Sequence, residues 1–265
     1  MNTKIFSSYL LLPLALMLLA NCKKHHNDNP EPTPEIPPIV EETKRYLPIK
    51  FESGNKVMTL KYLDNTALLS EIESTDGRKE IYTYNSEQKP VKYERYQAGE
   101  QVYLIDYLRN ADGLVVKSNR FIIAPRVFTP EGYNTFTYNS DNKLISYKTY
   151  DNANKLLQEE VSEYSPTGDL ITTIKITTGQ ANVTTNLSYD NKNGVFKEVS
   201  YTKLLAINAT EDFLISAPHN LMDRSYSSSG SVTYSYQYNT DNYPVQYIVT
   251  DGTNAKTVKV NYRQH

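Results

Sequence analysis

The chain has 265 residues, with 28 Lys and Arg against 30 Asp and Glu, a formal net charge of −2 and 39% hydrophobic residues. That length allows one or two domains, and the near-neutral balance implies neither nucleic acid nor an acidic surface as a partner. Aromatic usage is lopsided, 23 Tyr against 7 Phe and no Trp, so rings with a polar tip must do much of the covering.

Lys4 opens the chain and a short apolar run, residues 5–19, follows it, ending in Leu19-Ala20-Asn21-Cys22. The run is too short to span a bilayer and fits the apolar region of a secretory signal. Cys22 is the only cysteine, which excludes an intrachain disulfide. A lone Cys directly after such a run resembles the bacterial lipoprotein signal, in which that Cys is acylated and becomes the first mature residue. Leu19 and Ala20 fit that pattern, whereas Asn21 stands where a small residue is usual. The resemblance implies a signal peptide over 1–21, lipidation of Cys22, a membrane partner and an outer-membrane or other cell-envelope location. A multiply acylated cysteine anchors firmly where one chain would not.

Residues 22–46 are predicted to be a tether. Pro30, Pro32, Pro34, Pro37 and Pro38 favour extended polyproline backbone, about 3.1 Å per residue. His25 and His26 lie on this tail, where two adjacent ligands on a flexible chain make a poor metal site, so no metal is assigned.

Residues 47–265 are expected to form one domain. The stretch Phe136-Thr137-Tyr138-Asn139-Ser140-Asp141-Asn142-Lys143-Leu144-Ile145-Ser146-Tyr147 has relatives at 82–93 and 236–247. In each, an alternating run reaches Tyr-Asn, a polar cluster follows and a second run begins, which is the pattern of a β-hairpin. Facing apolar sets require Tyr138 opposite Ile145, Tyr84 opposite Val91 and Tyr238 opposite Val245. The other face, Thr83, Lys92 and Glu94 or Thr137, Ser146 and Lys148, is wet. Weaker copies pair Tyr62 with Leu69, Tyr107 with Val115, Tyr164 with Ile171 and Tyr189 with Phe196. Gly113, Gly168 and Gly194 fall in three of those turns, where positive φ is expected. A period of about 22 to 31 residues marks a repeat architecture.

Pro125 and Pro130 bracket Arg126 and Phe128 in a predicted protruding loop or bulge. Residues 203–230 break the repeat, with Phe213 and His219 inside the break, and are expected to form a degenerate hairpin or a partial plug or lid. Residues 258–262 supply a closing strand. The fold class is therefore all-β: a long antiparallel meander of about seven tandem hairpins, roughly fourteen strands, curled or barrel-like so that the Tyr face turns inward. One unit leaves roughly 7 or 8 residues per strand, short of the 9–11 of a membrane-spanning strand, so a body outside the bilayer is expected.

Tyr138-Asn139 through Leu144, and Tyr164 through Gly168-Asp169-Leu170, resemble the Tyr-Asp repeats of Rhs-type wall and toxin proteins. With the lipoprotein start and the Pro-rich tether, the chain resembles Tyr-rich surface lipoproteins of Gram-negative anaerobes, whose repeat domain has no assigned function and a porin-like β-fold. The resemblance implies a fold and a location and hands over no catalytic residue.

No catalytic constellation, cofactor or metal site is read from the residues. His219 follows Pro218 and has no nucleophile turn nearby, and the turn acids lack the glycine and bidentate acid of a calcium loop. The expected role is non-enzymatic binding of a protein or glycan, or scaffolding, with Arg126, Phe128, Phe213 and His219 as candidate loop contacts and no nucleic-acid partner. The alternative is a glycan-binding or glycan-hydrolysing surface lipoprotein using carboxylates at the sheet mouth.

Overall fold

The computed structural model describes residues 44–125, 127–208, 218–228 and 230–264, all within one compact unit, Thr43–His265. The alternating runs form β1 (Tyr46–Ser53), β2 (Lys56–Tyr62), β3 (Leu69–Ser74), β4 (Arg78–Tyr84), β5 (Pro90–Gln97), β6 (Glu100–Arg109), β7 (Val115–Ala124) and β8 (Val127–Tyr138). The second half gives β9 (Leu144–Asp151), β10 (Leu156–Tyr164), β11 (Leu170–Thr177), β12 (Val183–Tyr189), β13 (Leu221–Tyr226), β14 (Ser231–Tyr238), β15 (Pro244–Asp251) and β16 (Asn254–Gln264). Each strand pairs antiparallel with its chain neighbours, and β16 returns to β1. The meander is a closed barrel of 16 strands, two more than the repeat count suggested. Closure removes both sheet edges, so no strand is left with an unpaired ladder.

The inner face carries the apolar set. Phe51, Leu60, Tyr82, Tyr93, Ile105, Phe136, Tyr247 and Val260 are all buried in one cluster. Across neighbouring strands Tyr82 meets Tyr93 at 5.2 Å between ring centroids and Tyr236 meets Tyr247 at 5.6 Å. The outer face carries cross-strand charge pairs, Lys61–Glu71 at 2.5 Å, Lys79–Glu71 at 2.7 Å and Lys148–Glu159 at 3.6 Å, as the wet positions implied.

The two ends differ. After even-numbered strands other than β12 come polar loops, and after most odd-numbered ones tight turns. In the loops that start at Asn85, Asn110, Asn139 and Asn239, the Asn amide oxygen accepts two backbone N–H groups, two and four residues on, at 2.9–3.1 Å. The residue three after the Asn, which is Gln88, Gly113, Asn142 or Asn242, has positive φ. An Asx-turn closed by a left-handed residue explains why Asn, Asp and Gly recur there. Gly168 has the same role in its loop, whereas Gly194 lacks the positive φ expected of it.

A bulge follows every strong repeat and corrects the expected register. Thr137 pairs with Ser146, but Tyr138 pairs with Leu144, so Ile145 is the extra residue. Likewise Tyr84 pairs with Pro90 and Tyr238 with Pro244, not with Val91 and Val245. Leu144 is buried and Val245 exposed, because the bulge lets two successive apolar residues face opposite ways. Tyr164 accordingly meets Leu170, not Ile171, and Val115 pairs with Arg109, not Tyr107. Tyr62 with Leu69 is as expected.

At the loop end the inward Tyr hydroxyls donate to backbone carbonyls of the preceding strand: Tyr62 to Pro48, Tyr84 to Leu69, Tyr138 to Val115, Tyr164 to Leu144, Tyr189 to Leu170, Tyr236 to Leu221 and Tyr262 to Pro244, all at 2.7–2.9 Å. The rings give apolar cover while their tips satisfy carbonyls inside the wall.

Candidate functional site

A barrel of this strand count is wider than its own side chains fill. The connection from β12 to β13 fills the loop-end half. Phe196 stacks on Phe51 at 5.7 Å, and Val199, Leu204 and Leu205 join the wall's cluster. Leu204 and Leu205 lie on α1 (Thr202–Asn208), the one helix among the described residues, which this burial supports. Polar contacts pin the insert: the Ser200 N–H donates to the Ala67 carbonyl at 3.1 Å, Lys203 Nζ to Glu160 at 3.1 Å and Asn208 Nδ2 to the Tyr107 hydroxyl at 3.0 Å.

The irregular segment is thus relocated. The described plug is 195–208, and Phe196, expected to start a strand opposite Tyr189, belongs to it, while Tyr189 pairs with Leu221. Residues 221–226 are an ordinary wall strand, and 203–208 is the described part of the 203–230 break that joins the lumenal core.

Where the chain rejoins the wall, His219 Nδ1 lies 2.9 Å from Asp169 Oδ2, and the His219 N–H donates to the same carboxylate at 3.3 Å. Thr167 Oγ1 donates to Asp169 at 2.8 Å. Beside it Asp190 accepts the Asn220 N–H at 3.1 Å and the Tyr238 hydroxyl. This has the orienting acid and the imidazole of a hydrolytic triad, but among the described residues no hydroxyl lies within hydrogen-bond reach of Nε2. Its evident work is to tie the plug's return to the β10–β11 loop.

The turn-end half of the lumen is polar. Glu80, 1% exposed, accepts from the Tyr82 hydroxyl at 2.9 Å and pairs with Arg78 at 3.6 Å. Tyr103 donates to Glu131 at 2.7 Å, and Arg120 lies 3.9 Å from that carboxylate. Glu160 holds Lys203 and the Tyr147 hydroxyl. At the rim, a cleft of about 370 Å³ between the β3–β4 and β5–β6 turns is lined by Arg78, Lys79, Glu73 and Tyr96. Burial above all pushes the Tyr138, Tyr164 and Tyr243 phenols up to about 12, and those of Tyr82, Tyr93 and Tyr107 further.

Of the residues singled out from sequence, Phe128 lies on β8 and is 55% exposed beside exposed Val127. Nearby, the ladder shifts at Phe121–Pro130 after Arg120–Gly132, the bulge expected of that Pro-bracketed stretch. His219 sits in the Asp169 network, far along the chain from Phe128. Cys22, Arg126 and Phe213 lie outside the described residues, as do residues 1–21, read above as a signal peptide, and almost all of 22–46, read as a tether.

The chain matches no protein-family model, and no curated protein matches its sequence. Solved structures do match. A porin-like protein from Bacteroides vulgatus aligns at TM-score 0.51 and 14% identity, over 82% of this chain and 99% of that one. Another from Bacteroides uniformis aligns at TM-score 0.49 and 14% identity, over 78% and 97%. The fold is porin-like. At this identity the likeness extends to the barrel and no further.

Proposed function

We propose that the chain is a lipid-anchored protein of the bacterial cell envelope that binds a protein or glycan partner and performs no catalysis. The observation that carries this reading is the arrangement of polarity in the barrel wall. Charge pairs such as Lys61–Glu71 and Lys148–Glu159 stand on the outside, where a membrane-inserted barrel presents an apolar band. The lumen is stopped by 195–208, so a wide aqueous channel is not what these residues build. A solvated barrel with a blocked lumen suits a receptor or scaffold held beside a membrane by an anchor such as Cys22.

Two measurements test it. Palmitate labelling of cells should mark the wild-type chain and not Cys22→Ser, which should leave the membrane fraction; an unlabelled wild type would remove the anchor. Glycan arrays and pull-downs should find a partner, and shortening 209–217 together with Phe128→Ser should abolish its capture. Unchanged capture would move the contact away from these loops.

The hydrolytic alternative rests on Glu80, Glu131 and Glu160 facing the lumen. Each is held by a cation or a phenol, which supports a structural part for them. Turnover of a glycan substrate that Glu131→Gln abolished would reverse that assignment.

A further inference from the structure

The net charge of −2 does not describe the inner face of the wall, where cations gather. Inward positions follow from the register. Arg95 lies opposite buried Glu80 on one side and Tyr103 on the other. Lys175 lies opposite Glu160, which reaches the plug through Lys203. Lys256 lies opposite Val249 and shares a face with buried Val258 and Val260. These three cations enter the turn-end half of the lumen from β5, β11 and β16, well separated around the circumference. Three acids there are already committed, Glu80 to Arg78, Glu131 to Arg120 and Tyr103, and Glu160 to Lys203, while Asp251 stands at the rim on the face that carries Lys256. Arg95 lies over the Tyr103 ring at 4.9 Å, and among the described residues neither it, Lys175 nor Lys256 has a carboxylate partner. Lys175 and Lys256 are exposed, which places their ammonium groups in water.

Between these cations runs a row of neutral hydrogen-bonding groups. Asn134, Thr149, Gln158 and Thr177 are successive cross-strand neighbours on the inner face of β8 to β11. The Asn134 Oδ1 is buried and has no hydrogen-bond partner among the described residues. A concave wall with surplus cations concentrates anions, and a row of amides and hydroxyls serves the hydroxyl groups of a sugar.

The geometry points to the turn-end half of the lumen as a blind cup that binds an acidic saccharide. The carboxylates of the ligand meet Arg95, Lys175 and Lys256, its hydroxyls meet the half-buried Thr149, Gln158 and Thr177, and the plug closes the floor. This deepens the binding role proposed above and rests on it, but uses a different surface, so loss of the 209–217 and Phe128 contacts would leave it standing.

The test is calorimetric titration of the full chain with tetragalacturonate, neutral maltotetraose and inorganic tripolyphosphate. Tetragalacturonate should bind tightest, and more weakly as salt is raised. Lys175→Glu with Lys256→Glu should weaken it roughly tenfold, about the effect of losing two partly solvated charge pairs. Lys148→Glu, on the outer wall, should leave it unchanged. Both lysines are exposed, and an unaltered circular dichroism spectrum checks the fold of the double variant. No binding of tetragalacturonate, equal binding of maltotetraose, tighter binding of tripolyphosphate, or equal loss in Lys148→Glu would each overturn the assignment.

Discussion

Tyr138 and Tyr93 are both inward tyrosines with opposite accounts of their hydroxyls. The Tyr138 hydroxyl donates to the Val115 carbonyl at 2.9 Å, whereas the Tyr93 hydroxyl, on a residue 0% exposed, has no partner among the described residues. Removing a hydroxyl that leaves a buried carbonyl unpaired costs about 1–2 kcal/mol, and removing one with no partner costs nothing. Tyr138→Phe should therefore lower stability in urea unfolding, while Tyr93→Phe should be neutral or stabilising; equal losses would contradict the hydrogen-bond pattern. Gly132 offers a sharper case. It sits at a bulge with φ +142, and a Cβ there would lie 2.0 Å from the Tyr150 carbonyl oxygen. That oxygen is backbone and cannot swing aside, so Gly132→Ala should cost about 3 kcal/mol or more through strain and clash. A variant with wild-type urea midpoint would mean that the bulge relaxes freely.

Among the elements, the plug and the wall depend on each other. Leu205 is 0% exposed within the cluster that holds Phe51 and Tyr82, yet it belongs to a helix of seven residues that would not form alone. Leu205→Ala should cost about 2–5 kcal/mol of global stability, since the cavity opens in the shared core. A single unfolding transition should persist; a separate early loss of helix with an intact barrel would show the plug to be an independent passenger. This coupling was only partly legible in the sequence. The hairpins were plain, because Tyr-Asn turns and alternation are local and repeat. The inward residue of each returning strand was not, because Leu144-Ile145 and Leu170-Ile171 offer two apolar candidates side by side. A column could have decided it: Leu69, Pro90, Val115, Leu144, Leu170, Leu221 and Pro244 are all apolar, whereas the next position includes Ser70. The cationic lining was hidden for the same reason, since each bulge changes which residues face inward. Nothing local marks 195–208 as lumenal; that follows only from a closed barrel too wide for its own side chains.

At the scale of the whole molecule, the barrel stores its tyrosines as neutral phenols. Burial is the leading cause that raises Tyr62, Tyr82, Tyr93, Tyr107 and Tyr236 above the ordinary value of 10.0, with Tyr138 and Tyr164 at about 12. A group whose folded value is raised favours the fold fully while the pH stays below the unfolded value. Its contribution then shrinks as the pH climbs through the folded value. The carboxylates beside some of these rings act in the same direction, Glu80 on Tyr82 and Glu160 on Tyr147. Stability should thus hold to about pH 10 and decline steeply above it, because many phenols lose their preference over the same interval. Alkaline titration should show little tyrosinate absorbance from the buried rings near pH 10. The remaining tyrosinate absorbance should rise in one step together with the loss of the β-sheet circular dichroism signal, near or above pH 12. Ionisation of all the tyrosines near pH 10 with the sheet signal intact would mean that their rings meet water, and the inward-facing wall would have to be rebuilt.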